Sequence, residues 1–441
     1  MKKIKSIINR LVVSVLLLSV ALAIPACGKV ERELPEYADD KTMTLGAWGA
    51  PIPTQEGYNI FAEAGFNCTF LDWRQLTTTA FQNVMGYAEN AGVKIWVQTG
   101  NENYNQPEVI QKVYDADLKQ YSAFDGISFY DEPGITQFDD IGNLVPQFEQ
   151  NYPDGLFLIN LFPSYASPEK FGAGGFAGYV NSYVNDILGR ISGRKMLSFD
   201  YYPLMTDMGD PENPRNYLAD SWLSDLDIIS NAAKFTDIET HYFSQTRKIG
   251  GTSRGLTSTA DVRFQYAVGM SYGFKSVSAF MYNAASSADG TWGEGLVNGD
   301  KITPEYYYAK EANMELLKFD HVYLSFDYLG TMPIYASSGT TCNAFMTLRN
   351  KLKKIDGVQS VEAEEPAIIG AFRDKDDNRG FMITNFTEPT DEISNTVTVQ
   401  FDSGITKARV YRKGEPSDHS LKEGTLTLDL EPGEGVFVIA V

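Results

Sequence analysis

From residue 43 to about residue 318, short apolar runs rich in β-branched and aromatic residues alternate with longer stretches of helical periodicity. That alternation is the pattern of repeated βα units. The runs that read as strands cover residues 43–48, 67–71, 93–98, 126–130, 156–160, 196–201, 237–243 and 276–282. Helical stretches fill the intervals. Residues 79–91 stop at Gly92, and residues 259–272 have Ser258 as an N-cap before them and Gly273 as a stop behind them. Eight βα units over roughly 275 residues fit a (β/α)8 TIM barrel of the α/β class in both size and count. A doubly wound open sheet is the alternative, but no Gly-x-Gly-x-x-Gly follows the first strand.

Past the helix that Thr303-Pro304-Glu305 opens, the texture changes. Residues 367–372, 380–385, 396–401, 407–411, 425–430 and 435–441 are short alternating runs separated by Gly, Asp, Asn and Pro. Such spacing predicts a smaller C-terminal antiparallel β-sandwich. The expected division is therefore a barrel over 43–319 and a sandwich over 320–441.

The first residues read as an address. Lys2, Lys3, Lys5 and Arg10 precede an apolar run from Leu11 to Ala23, and Ile24-Pro25-Ala26-Cys27-Gly28 follows. These are the n-region, h-region and cleavage site of a signal peptide over 1–26. The cysteine after a small residue resembles the lipobox of bacterial lipoproteins. That resemblance implies lipidation of Cys27, a charged tether over 27–42, a membrane link only through the N-terminal lipid, and an outer-membrane or cell-surface location. The chain has 37 basic and 57 acidic residues and a formal net charge of −20; loss of the four leader cations leaves −24 on the exported part. An acidic protein is a poor partner for nucleic acid, whose binding rests on basic side chains. The two remaining cysteines, Cys68 and Cys342, read as buried free thiols.

A barrel of this kind builds its site at the C-terminal ends of its strands. The residues there are Trp48, Asp72 with Trp73, Gln98, Tyr130 with Asp131 and Glu132, Asn160, Asp200 with Tyr202, Gln245, and Tyr282; Trp292 lies in the loop after the last strand. Carboxylates and amides that bond hydroxyls, beside aromatic faces that stack on sugar rings, suit a carbohydrate. With His241, His321 and His419 the only histidines, no His-rich metal set is expected. No phosphate-binding P-loop occurs, and no cofactor is expected.

The phrase Ser128-Phe129-Tyr130-Asp131-Glu132-Pro133 resembles the strand-four motif of the large barrel clan of retaining glycoside hydrolases, which includes the family 42 β-galactosidases. The phrases Ile159-Asn160-Leu161-Phe162-Pro163-Ser164-Tyr165 and Ser198-Phe199-Asp200-Tyr201-Tyr202-Pro203, and the terminal Leu430-Glu431-Pro432-Gly433-Glu434-Gly435-Val436, are similar to those of secreted barrels near that family. The resemblance implies hydrolysis of O-glycosidic bonds with Glu132 as general acid/base. The clan's nucleophilic glutamate closes strand seven, where this chain has Gln245. Asp200 is the preferred second carboxylate, with Glu239 and Glu294 as alternatives. The competing reading is a non-catalytic glycan-binding lipoprotein on a degenerate barrel.

Overall fold

The structure is a computed structural model that describes residues 32–77, 80–210 and 212–441. The signal-peptide and Cys27 assignments lie outside the described residues. Eight parallel strands form a closed barrel: β1 (Thr44–Ala47), β2 (Cys68–Asp72), β3 (Lys94–Gln98), β4 (Phe124–Asp131), β5 (Leu156–Leu161), β6 (Lys195–Asp200), β7 (Ile238–Gln245) and β8 (Ser276–Phe280). β1 pairs with both β2 and β8 and closes the ring. All six residues of β5 are buried, as expected for a strand covered by helices on one face and the barrel interior on the other.

The interior core is formed by Cys68, Phe70, Trp96, Leu156, Leu158, Met196 and Phe243, with Trp48, Tyr202 and Phe280 packed above. Residues alternate in and out along a strand, so the inward parity of Leu156 and Leu158 extends to Asn160, and that of Met196 to Ser198 and Asp200. That parity aims Asn160 and Asp200 into the mouth of the barrel.

A six-stranded antiparallel sheet and a three-stranded one follow. The first has the order β9 (Phe326–Ile334), β11 (Ala367–Asp374), β12 (Arg379–Asn385), β17 (Gly435–Ala440), β14 (Lys407–Arg412), β15 (Glu415–Ser420); the second is β10 (Val358–Ala363), β13 (Asn395–Phe401), β16 (Thr425–Leu430). Their facing sides enclose a separate apolar core that includes Ile369, Ile383, Val397, Val399, Leu428 and Val438. β9, β10 and β15 escape the sequence pattern. β15, Glu-Pro-Ser-Asp-His-Ser, is exposed at every position and ends the sheet with proline and charge, the usual protection of an edge.

The Thr259–Ser271 helix lies between barrel and sandwich and is buried nearly all round, which explains its lack of an amphipathic stripe. β11 approaches it so closely that a Cβ on Gly370 would stand 2.3 Å from the Ser271 carbonyl oxygen. Arg254, before the helix, bonds Asp261 at 2.6 Å and also Glu388 of the sandwich, all three side chains being buried. The segment expected as a free tether is instead docked from Pro35 onward. The Tyr37 ring packs on Phe326 and its hydroxyl donates to Asp374 at 2.7 Å, while Arg409 holds Glu36. Cys68 is buried as expected, but Cys342 is only partly so, and both are free.

Candidate active site

A β-bulge between Ser128 and Tyr130 shifts the register of β4 against β5 just before the strand ends. Bulges re-aim the side chains that follow them, and here Asp131 comes opposite Asn160. The chain then turns at Glu132, whose φ of +58° lies in the left-handed region. A non-glycine residue there costs roughly 1–3 kcal/mol. The turn is held by Glu132 N–H donating to the Asn160 carbonyl at 2.8 Å, by a two-way exchange between Asn101 and the Asp131 backbone at 2.7 and 2.8 Å, and by Tyr179 Oη donating to the Pro133 carbonyl at 2.6 Å.

Three carboxyl groups meet at this corner. Asp131 accepts from Asn160 Nδ2 at 3.0 Å and is otherwise largely shielded; burial raises its proton affinity. Glu132 and Asp200 are hydrogen-bonded to one another. Burial, and then the neighbouring Asp131 charge, push Glu132 up to about 7, against the pull of the Asp200 hydrogen bond and of the Lys170 ammonium. Asp200 is raised well above the carboxylate range, first by burial and then by Glu132 and Asp131. Its Oδ1 is buried without a hydrogen-bond partner. The pair thus holds a proton near neutral pH, as a proton-donating site needs.

Tyr202, partly buried, lies against Asp200 and packs on Phe280. Tyr165 was not among the sequence candidates, because its loop carries no carboxylate or strand-end signal. Its ring is more than half exposed, tilts edge-on to Tyr201 at 5.2 Å, and feels the charges of Asp200 and Glu132. Its loop is fixed by Asp225, a buried helical carboxylate that accepts from Ser164 N–H at 2.8 Å and that burial raises to about 7.

The other sequence candidates are placed as follows. Trp48 packs against Phe70 and Phe243 at the top of the barrel core, and Gln98 sits half-buried beside Ser128. Tyr130 accepts from Gln137 at 2.5 Å and meets Tyr104 edge-on. Asp72 is tied to Arg74 at the rim, and Trp73 is partly buried against the core with the Lys112 ammonium over its ring. Trp292 is partly exposed under the Arg247 guanidinium.

Four candidates are corrected. Gln245 is fully buried and its amide is spent on backbone, accepting from Leu204 N–H and donating to the carbonyls of Leu204 and Arg254, so it cannot reach a sugar. Tyr282 is core, edge-on to Phe61 and Phe66. Glu239 is near the opposite, N-terminal end of β7 beside Arg194 and Lys275. Glu294 is a surface residue paired with Lys301 at 2.9 Å. Among the described residues no group of His, Cys, Asp and Glu is arranged to hold a metal ion, and no helix is long and apolar enough to cross a membrane.

A closed (β/α)8 barrel followed by an antiparallel sandwich is a fold shared with a solved enzyme. The β-galactosidase of Bacillus circulans sp. alkalophilus is similar with a TM-score of 0.53 at 7% identity, over 92% of this chain and 99% of that one. A family 27 β-L-arabinopyranosidase of Geobacillus stearothermophilus follows with 0.49 at 11% identity, over 91% and 97%. The likeness to the β-galactosidase establishes the shared fold. No protein-family model matches the chain, and no curated protein sequence matches it.

Proposed function

We propose that this chain is a glycoside hydrolase that cleaves O-glycosidic bonds of an oligo- or polysaccharide, carried to the cell surface as a lipoprotein anchored at Cys27. The observation that carries the reading is the Glu132–Asp200 carboxyl pair at the ends of β4 and β6, with Glu132 raised to about 7. Glycosidic cleavage needs one protonated carboxyl for the leaving oxygen and a second to attack or to activate water. Glu132 is the proton donor. Asp200 is the second carboxylate.

Working pairs stand roughly 5 Å apart in retaining enzymes and roughly 6.5–9.5 Å apart in inverting ones. Tyr165 and Tyr202 supply ring faces for the sugar. The test is a screen of aryl glycosides and oligosaccharides with wild type and Glu132→Gln. Loss of the general acid is expected to cost on the order of 10² to 10⁴ in rate; equal turnover by both proteins overturns the reading.

One observation favours a second reading, glycan binding without hydrolysis: the end of β7 carries the buried amide of Gln245. It predicts calorimetric binding of a sugar with no reducing ends released, and any release removes it. Labelling with a fatty acid, abolished by Cys27→Ser, checks the anchor.

A further inference from the structure

Below the carboxyl corner, four register partners on adjacent strands carry polar side chains into an otherwise apolar barrel: Asp131, Asn160, Ser198 and His241 on β4 to β7. Asn160 Nδ2 lies 3.0 Å from Asp131 Oδ1, Ser198 Oγ 2.9 Å from Asn160 Oδ1 and 2.7 Å from His241 Nδ1, and His241 Nε2 2.8 Å from Ser278 Oγ on β8. Asn160, Ser198, His241 and Ser278 are all buried.

The proton positions follow from the donor inventory. A carboxylate only accepts, so Asn160 turns its NH2 to Asp131 and its oxygen to Ser198. Ser198 has one proton, and Asn160 Oδ1 takes it. His241 Nδ1 must then be the donor to Ser198 Oγ, which leaves Nε2 as the acceptor from Ser278. The imidazole is neutral, since burial pushes it down to about 3. Every hydrogen bond in the chain points the same way, toward Asp131. The far end is built for this: a Cβ on Gly46 of β1 would stand 2.3 Å from Ser278 Oγ, so only glycine leaves the serine its place.

We propose that Ser198, His241 and Ser278 are positioning residues that, through Asn160, form a one-way hydrogen-bond relay across the barrel holding the Asp131 carboxylate ionised and in place beside Glu132. The inference rests on the reading of Glu132 as proton donor for its purpose. Its geometry does not depend on that reading. Aligned donors polarise one another in a low-dielectric interior. The other polar groups facing the Asp131–Glu132 corner are Asn101 after β3, Lys170 and Tyr165 after β5, Asp200 and Tyr202 at β6, and Tyr179 of the Gly175–Asp186 helix. Among them Lys170 is the one cation, and Asn160 Nδ2 is the side-chain donor that Asp131 accepts from.

Two measurements on the whole protein test this without substrate. Nitrogen-15 correlation spectra of wild type should place the His241 proton on Nδ1 across the pH range from 5 to 9; a proton on Nε2, or a charged ring, overturns the relay. Carbon-13 titration of side-chain carboxyls, assigned with Asp131→Asn, should put the Asp131 midpoint at least one pH unit higher in Ser198→Ala than in wild type, with Ser198→Thr restoring it. Ser278→Ala should move it in the same sense by less. If Ser198→Ala fails to fold, Ser278→Ala and the wild-type tautomer carry the test alone. An unmoved Asp131 midpoint sinks the relay whatever the turnover screen finds. Unchanged turnover in Glu132→Gln with a moved midpoint sinks the glycosidase reading and leaves the relay standing.

Discussion

Asn160 Nδ2 stands 3.0 Å from Asp131 Oδ1, and the two residues are also direct register partners on β4 and β5. The same asparagine accepts Glu132 N–H on its backbone carbonyl. One residue thus fixes both neighbours of the turn. Asn160→Ala removes the side-chain partner of Asp131 and leaves Ser198 bonded to His241 alone, and an unsatisfied buried group costs about 1–3 kcal/mol. Urea unfolding should register a loss of that size, with a larger fraction of activity lost than of folded protein.

The raised proton affinity of Glu132 fixes the sign of two pH effects. As general acid it is active when protonated, so kcat/KM should fall as pH rises through about 7. In stability, a carboxyl that binds its proton more tightly folded than unfolded helps the native state below the ordinary carboxylate range. That help is lost as pH climbs from about 4.5 to about 7. Glu132→Gln should therefore gain on wild type by on the order of 1–3 kcal/mol between pH 4 and pH 8. Thermal unfolding at both pH values checks it, and a constant gap would show the shift to be absent.

Restoring a glutamate at the end of β7 should not create activity. In Gln245→Glu the side chain would face the carbonyls of Leu204 and Arg254, to which the amide now donates at 3.1 and 2.6 Å. Two acceptors against an acid in a dry site predict destabilisation of about 2–5 kcal/mol, read by chemical denaturation.

Arg254 bridges Asp261 of the barrel helix and Glu388 of the sandwich with all three side chains buried. Arg254→Ala strands two carboxylates, and breaking a buried pair costs about 3–5 kcal/mol. Calorimetry should give a lower midpoint, and the barrel and sandwich should separate into two transitions if this network is their main coupling.

The eight barrel strands were legible in the chain because each is a short apolar run bounded by turn residues, and Asp131-Glu132 and Asp200 fall where those runs stop. Which strand-end residues face inward, as Asn160 does below the corner, became readable only once the interior core fixed the parity of each strand. The misplaced residues share a cause. Gln245 looked like a strand-end amide open to ligand, yet the segments around Leu204 and Arg254 fold over it and consume its hydrogen bonds. Tyr282 continues its strand by one short step into the core between Phe61 and Phe66. β15 went unseen because an exposed edge strand needs no apolar face.

By itself the sequence determined the barrel, the following sandwich and the acidic corner, since these depend on local periodicity and on which residue ends each strand. Only the tertiary structure decided that Glu132 meets Asp200, that Tyr165 comes within reach of their charges, and that Ser198 and His241 line up beneath Asp131. Those relations join residues from tens to about a hundred positions apart, and they arise from barrel closure, strand stagger and a single bulge in β4. No local pattern encodes such distances; packing of the closed barrel sets them.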